Sequence, residues 1–522
     1  MNDSTVLFSS DTHKQLAGRK KSGFSRRQFL GTGGAALIAA HAYARPAATR
    51  RAVIGKATPR TVAGNSSFDP SLLRLLDRTS FGFTREAYAE AEAMGFADFV
   101  EFQLDYPNID DSNLDARLAA YDTLTMNAEQ IYVTYQEMQA VPVLQLMEAT
   151  TLRAALSKRQ LFERMVEFWT DHFNIYILDE LCQFLKTPDD RDVIRQHAMT
   201  SFPELLNASA RSAAMLFYLD NYANIAGHAQ ENYARELMEL HTLGVGGGYT
   251  QQDVEEVARC FTGWTFEFRL NNATLEVGDF LYKDRDHDSD SKIVLGNIIP
   301  AGGGESDGQA VLDILAYHPN TAEFVGRKLC KHFLGYDPPE DIVETAKQTY
   351  LATGGDIKEI LRVILHPTVL TYLSTPKLRR PFHYAVSLLR ASEANIVNPR
   401  VLLDYFYVMG HAPFFWITPD GYPDTVEAWG SSLRPRWLFA SGLNDGAIPG
   451  VSVSPTALLQ SEGGTASGMQ AGAIDRILTG ERMTTSELDL VQGFYDDLST
   501  GYTFRDSDTF GLAGSMPTLQ WY

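Results

Sequence analysis

One stretch limits the folds open to this chain more than any other. It is Asn232–Trp264, NYARELMELHTLGVGGGYTQQDVEEVARCFTGW. The pattern predicts a helix, a glycine turn and a second helix. The first helix runs to about Leu243 and stops at Gly244, with Gly246, Gly247 and Gly248 behind it. Thr250 is placed as an N-cap with Asp253 at N3, an acid-for-Glu version of the capping box. The second helix carries Val254, Val257, Ala258 and Phe261 and ends at Gly263.

At about 100° per residue the first helix has two faces. Tyr233, Leu237, Leu240 and His241 share the apolar one, and Asn232, Arg235, Glu236 and Glu239 the other. Glu236 and Glu239 stand three apart, so both carboxylates can reach one point. Such a pair can bind a cation or share a proton. On spacing alone a solvated face balanced by Arg235 is the preferred reading. Asp220, Asn221 and Asn224, just upstream, are read either as the wall of a polar pocket with these acids or as capping residues.

The rest of the chain is dominated by helical periodicity. Asp69 and Pro70 open a helix with Leu72, Leu73, Leu75 and Leu76 on its apolar side. Val141 to about Tyr176 reads as one helix or two, because Pro142 can only start it. Within it Leu161, Met165, Phe168 and His172 share an apolar, aromatic face. An imidazole there needs a hydrogen-bond partner or a metal.

After Trp264 the period changes to two. Phe266–Leu270, the Asn271-Asn272 turn and Thr274–Leu281 predict one β-hairpin. Asp284 to Asp290, with alternating Asp around His287, resembles a calcium loop. Ser289 and Leu295 stand where an EF-hand needs Gly and Glu, so the EF-hand reading fails and a looser calcium site is the alternative. Lys377, Arg379 and Arg380 form a local basic patch that can hold an anionic ligand or internal carboxylates, the second being preferred. Gly421-Tyr422-Pro423 and Trp429 mark an aromatic loop of the kind that rims pockets. No G-x-S-x-G elbow is present, so Ser-His-Asp chemistry has little support.

These blocks carry a resemblance. N-Y-A-R-E-L-M-E-L-H-T-L-G, the Gly-rich turn, Y-T-x-x-D-V, A-R and T-G-W resemble a bacterial family known as domain of unknown function 1800. So do F-W-x-x-H-F at Phe168–Phe173, His287-Asp288 with Lys292 and Gly296, and H-P-x-T-A at His318–Ala322. The resemblance spans roughly Leu72 to Leu443. It implies a family and no particular reaction.

The N-terminus resembles a twin-arginine export signal. A basic arm leads to Ser25-Arg26-Arg27-Gln28-Phe29-Leu30, then a Gly/Ala-rich apolar run, then Ala42-Tyr43-Ala44. That run is too short and too small-residued for a transmembrane span, and no second apolar run approaches membrane length. The resemblance implies passage through the twin-arginine export machinery in the folded state. That raises the expectation of a bound metal or cofactor.

Composition narrows the partners. The chain has 522 residues and a net charge of −20. Residues 1–44 carry six Lys/Arg and two Asp, so their removal leaves about −24. Such acidity argues against nucleic acid or anionic membrane as the main partner. Cys182, Cys260 and Cys330 show no C-x-x-C spacing; Cys182 and Cys260 can in principle pair, but Cys260 and Cys330 lie in apolar helical patterns, so buried free thiols are expected.

The expected fold is mainly α, a multi-helical single large domain with one central β-hairpin. Residues 1–44 are expected to be the signal and 45–67 a flexible mature N-terminus. Residues 68–445 form the helical domain, and 446–522 a Gly/Ser-rich loop and C-terminal helix packed on it. Two functional readings follow. One is a metal- or cofactor-dependent envelope enzyme, a hydrolase for instance, periplasmic or extracellular. Glu236 and Glu239 would be its catalytic acids, and His172, Glu236, His287 and Asp288 would hold a divalent metal whose bound water attacks. The other is a non-catalytic envelope protein that binds a partner or serves as a scaffold.

Overall fold

The computed structural model describes residues 66–271 and 274–522. The signal, and nearly all of the segment 45–67, lie outside the described residues. Val62–Tyr522 forms one compact unit. It is mainly α, as the periodicity predicts. The Pro70–Thr79 helix starts as read: Asp69 accepts from Ser71 N, Pro70 takes the first turn, and Leu72, Leu73, Leu75 and Leu76 are buried. The Val141–Tyr176 stretch is two helices, Ala140–Leu156 and Gln160–His172, parted at Ser157, whose backbone is extended. Among the described residues no helix is long and apolar enough to cross a membrane.

The Asn232–Trp264 motif folds as helix, turn, helix, with one change. The Glu231–Glu236 helix passes into a wider π segment, Leu237–Thr242. Thr242 Oγ1 donates to Leu237 O at 2.7 Å and Leu243 N to Met238 O at 3.0 Å, each spanning five residues. Gly244 then turns the chain at φ +83°, tight against the Phe324 ring, where a Cβ would not fit. The Gln251–Cys260 helix opens on the Thr250–Asp253 capping box.

The hairpin is present as strands β1 (Trp264–Asn271) and β2 (Thr274–Tyr282), antiparallel, with an irregularity between Phe266 and Phe268. Two further antiparallel pairs correct the expectation of one hairpin. Strands β3 (Lys292–Val294) and β4 (Asn297–Ile299) are joined by Leu295 and Gly296, both at positive φ. Strands β5 (Asn395–Ile396) and β6 (Val451–Ser452) meet from distant parts of the chain. Runs of two or three residues are too short to carry a period, so alternation could not reveal them.

Residues 446–522 hold more helix than their Gly/Ser/Ala content suggests: Pro455–Ser461, Gln470–Thr479, Thr485–Asp497, Arg505–Gly514 and Pro517–Gln520. The small residues serve packing. A Cβ on Gly511 would lie 3.1 Å from Ser441 Cα, and one on Gly514 3.1 Å from Ala440 Cβ. These glycines let the Arg505–Gly514 helix approach the Leu433–Asn444 helix closely. Cys182, Cys260 and Cys330 are buried free thiols.

Candidate functional site

The Gln160–His172 helix is buried along most of its length, and its last turn and a half carries Glu167, Asp171 and His172. Trp169, Phe173, Phe202 and Phe324 surround the His172 ring. The imidazole is 2 % exposed. It has two polar neighbours: Nε2 donates to His241 O at 3.0 Å, and Nδ1 accepts from Lys328 Nζ at 2.8 Å. The partners therefore assign the Nε2–H tautomer. Burial, then the Lys328 charge, hold the ring well below its ordinary pKa.

Lys328 comes from the Pro319–Leu334 helix, whose first turn is the H-P-x-T-A block. Among the described residues its hydrogen bond is to His172 alone. Burial lowers its pKa to about 8, against the pull of the Asp171 charge and with Arg380 adding to the depression. The lysines that are fully buried differ. Lys186 pairs with Asp189 at 2.6 Å. Lys292 pairs with Asp307 at 2.6 Å. Lys377 divides its N–H groups among Lys331 O, His332 O and Asp424.

Asp171 pairs with Arg380 at 2.5 Å. Burial still pushes its pKa up to about 6, with Arg380 opposing and Glu167 assisting. Its side chain keeps 18 % exposure, so water reaches it. One turn earlier, Glu167 accepts from Arg164 at 2.9 Å and from His383 Nε2 at 2.5 Å. Arg164 Nη1 lies 3.1 Å from His383 Nδ1, and its Nη2 3.1 Å from His332 Nε2. His332 and His383 are both held well below their ordinary pKa, by burial first and then by Arg164. The ion pairs Arg380–Asp171 and Arg164–Glu167 thus sit with His332 and His383 between three segments.

The preferred reading of the basic patch is what the structure shows. Lys377 meets Asp424 at 2.6 Å, Arg379 meets Asp77 at 2.8 Å and Arg380 meets Asp171. Pro381 then starts the Pro381–Ala391 helix, which carries His383. The aromatic loop closes over the end of the Gln160–His172 helix. Gly421, at φ +73°, is packed so closely that a Cβ would lie 2.1 Å from Asp171 O. Only glycine permits that approach. Asn174 Nδ2 fastens the loop by donating to Trp416 O at 2.9 Å and Thr418 O at 2.7 Å. Trp429 stacks on His411.

The residues singled out from sequence lie in separate neighbourhoods. His172 belongs to the cluster just described, and both its nitrogens are taken. Glu236 ends the Glu231–Glu236 helix, half-buried, where the π segment begins. Glu239 lies 3.5 Å from Arg235. The wider π turn spreads Glu236 and Glu239 round the axis more than a 100° step would. His287 Nδ1 is 2.8 Å from Thr262 O, and its Nε2 is 3.2 Å from Asp307. Asp288 pairs with Arg259 at 2.8 Å. Among the described residues no group of three or more His, Cys, Asp or Glu could hold a metal ion. Asn221 and Asn224 are buried and bind backbone carbonyls of Phe261, Trp264 and Ala258, so they brace the motif rather than line a pocket.

Sequence reasoning passed over Asp171, Glu167, Lys328, Arg164, His383 and Asp424. Two signals were available. Asp171 sits inside the F-W-x-x-H-F block, and Lys328 interrupts the apolar run of Phe324, Val325, Leu329 and Phe333. A cleft of about 340 Å³ lies elsewhere, lined by residues that include Phe99, Gln103, Lys158, Arg390 and Glu393. None of the cluster's residues lines it.

Comparison with known proteins adds the family. Neither the curated proteins nor the solved structures gave a match. The family model described as "Protein of unknown function (DUF1800)" matches residues 74–521, which takes in the Asn232–Trp264 motif, the Lys328–His172 cluster and the C-terminal helices. The chain belongs to the DUF1800 family.

Proposed function

We propose that this protein is an exported acid–base enzyme whose reaction centre is Asp171, His172, Lys328 and Arg380. The observation that carries the reading is the Lys328–His172 hydrogen bond of 2.8 Å, made by a lysine that bonds no carboxylate among the described residues but feels the charge of a partly exposed Asp171. Burial and the neighbouring charges bring the two groups to about 6 and about 8, on either side of neutrality. A carboxyl group and an amine tuned toward each other in this way suit general acid–base chemistry. Perturbed groups gather at functional sites more than elsewhere. Arg380 holds Asp171 in place and His172 holds Lys328. The twin-arginine-like sequence around Arg26-Arg27 supports export, and with it a polar substrate met outside the cytoplasm.

A second reading, a non-catalytic scaffold, is favoured by the matched pairs Arg380–Asp171, Arg164–Glu167 and Lys377–Asp424. The two separate in a turnover screen of the natively exported protein. The panel is chromogenic esters, amides, glycosides and phosphoesters, with aldehydes and oxo acids. Turnover that disappears in folded Lys328→Met and Asp171→Asn supports the enzyme. An inactive wild type, or turnover that survives both substitutions, contradicts it.

A further inference from the structure

The Lys328 amine has a feature that acid–base work alone does not require: its hydrogen bonding leaves the nitrogen available. Lys377, a few residues before Arg380, shows the contrast. Three acceptors surround its Nζ, so it is a buried strut. Lys292 is enclosed in the same way by Asp307, Asp288 O and His287. Lys328 gives one hydrogen bond, to a ring nitrogen that can only accept from it, because the other ring nitrogen is committed to His241 O. That bond aims the amine without neutralising it as a carboxylate would. His241, which supplies the carbonyl, is itself buried, and its Nε2 has no partner among the described residues.

We infer that Lys328 is a nucleophile toward aldehydes and ketones, forming a Schiff base with a carbonyl substrate, a role that rests on the reaction centre proposed above. Nζ of the free amine adds to the carbonyl carbon, and the carbonyl oxygen takes the Asp171 proton. The nitrogen returns one proton to the Asp171 carboxylate. The hydroxyl then leaves as water with that proton, and the nitrogen lone pair closes the C=N bond. Amine, carbonyl and the Asp171 proton give a protonated imine, an Asp171 carboxylate and water. No oxidant or reductant is consumed. Asp171 is assigned the proton steps because its charge acts on Lys328 and Arg380 fixes it at the end of the helix that also presents His172. A desolvated lysine beside other cations is the usual form of such a nucleophile.

The test uses the intact exported protein, acetaldehyde as probe and sodium cyanoborohydride as trap near neutral pH, with the alkylated lysines mapped by peptide mass spectrometry. Lys328 is expected to be labelled roughly tenfold faster than exposed lysine side chains, since lowered basicity leaves more free amine at that pH, and faster than Lys377, which burial lowers further to about 7 but three acceptors enclose. Exposed Lys158 is the comparator, and Lys328→Arg gives the background. Labelling of Lys328 no faster than of Lys158 overturns the inference. If Lys328→Met still abolishes turnover in that case, the amine is a proton carrier and the acid–base centre stands. If turnover survives the substitution, both readings fall.

Discussion

Lys328 Nζ donates to Nδ1 of His172 across 2.8 Å, while Nε2 of the same ring donates to His241 O across 3.0 Å. The ring is therefore held as one tautomer between a cation and a carbonyl. A second proton on Nδ1 would face the lysine directly. Nitrogen-15 spectra should show His172 as the neutral Nε2–H form throughout the range from about pH 5 to 8. In Lys328→Met the ring loses the cation that helps depress it, and its pKa should rise. A His172 that protonates in the wild type at its ordinary pKa would contradict the pairing.

The buried histidines make stability depend on acid. His172, His332, His383 and His411 are held well below their ordinary pKa, and His241 falls to about 3, in each case through burial first. In the unfolded chain each would titrate near 6.5. The unfolded state thus binds more protons below that pH, and stability rises with pH there. Asp171 opposes them with one proton, since its folded pKa is raised to about 6 and its contribution is lost as pH climbs through that value. The net expectation is a stability that falls as pH drops from about 6.5, by about 1.4 kcal/mol per pH unit for each net proton, and a Tm that falls with it. A Tm flat between about pH 6.5 and 4.5 would show that these rings are not buried neutral.

Breaking the central pair should cost more than breaking a surface pair. Arg380→Met strands Asp171 and leaves Glu167 with less positive charge around it. Removing one partner of a buried pair costs about 3–5 kcal/mol. The exposed Lys158–Glu86 pair lies at 3.2 Å with both side chains more than half exposed. Lys158→Met should cost about 1 kcal/mol or less. Chemical denaturation of the two variants checks the contrast, and equal losses would place Arg380 outside a buried network.

The His287 block should behave as architecture. Lys292 is fully buried, bound to Asp307 at 2.6 Å and to Asp288 O, and His287 bridges Thr262 and Asp307. Lys292→Met strands Asp307 and should cost about 3–5 kcal/mol. His287→Ala should lower Tm while leaving the trapping rate of Lys328 unchanged, because the two clusters share no residue. A fall in Lys328 labelling in a folded His287→Ala protein would join the two sites.

Much of the fold could be read locally. The Thr250–Asp253 box, the Asp69-Pro70 start and the β1–β2 hairpin all follow from neighbouring residues, and the structure has them. The π segment does not, since nothing in Leu237–Thr242 announces a five-residue hydrogen bond. The site was half legible. His172 on an aromatic face called for a partner, and the basic patch called for carboxylates. The partners themselves, Lys328 for the ring and Asp171, Asp424 and Asp77 for the patch, are set by packing across more than a hundred residues in three of the four cases. Periodicity reports a face and never what lies against it. The spacing of Glu236 and Glu239 likewise reported a helix face, and the residue that meets Glu239 there is Arg235.

The most direct test of the account is the titration of Lys328 itself, followed through its Cε resonance in lysine-labelled protein and assigned with Lys328→Arg. The account predicts a midpoint at about 8. A midpoint at the ordinary lysine value of about 10.4 would contradict it. Lys328 would then be a plain buried cation, and the cluster around it a structural one.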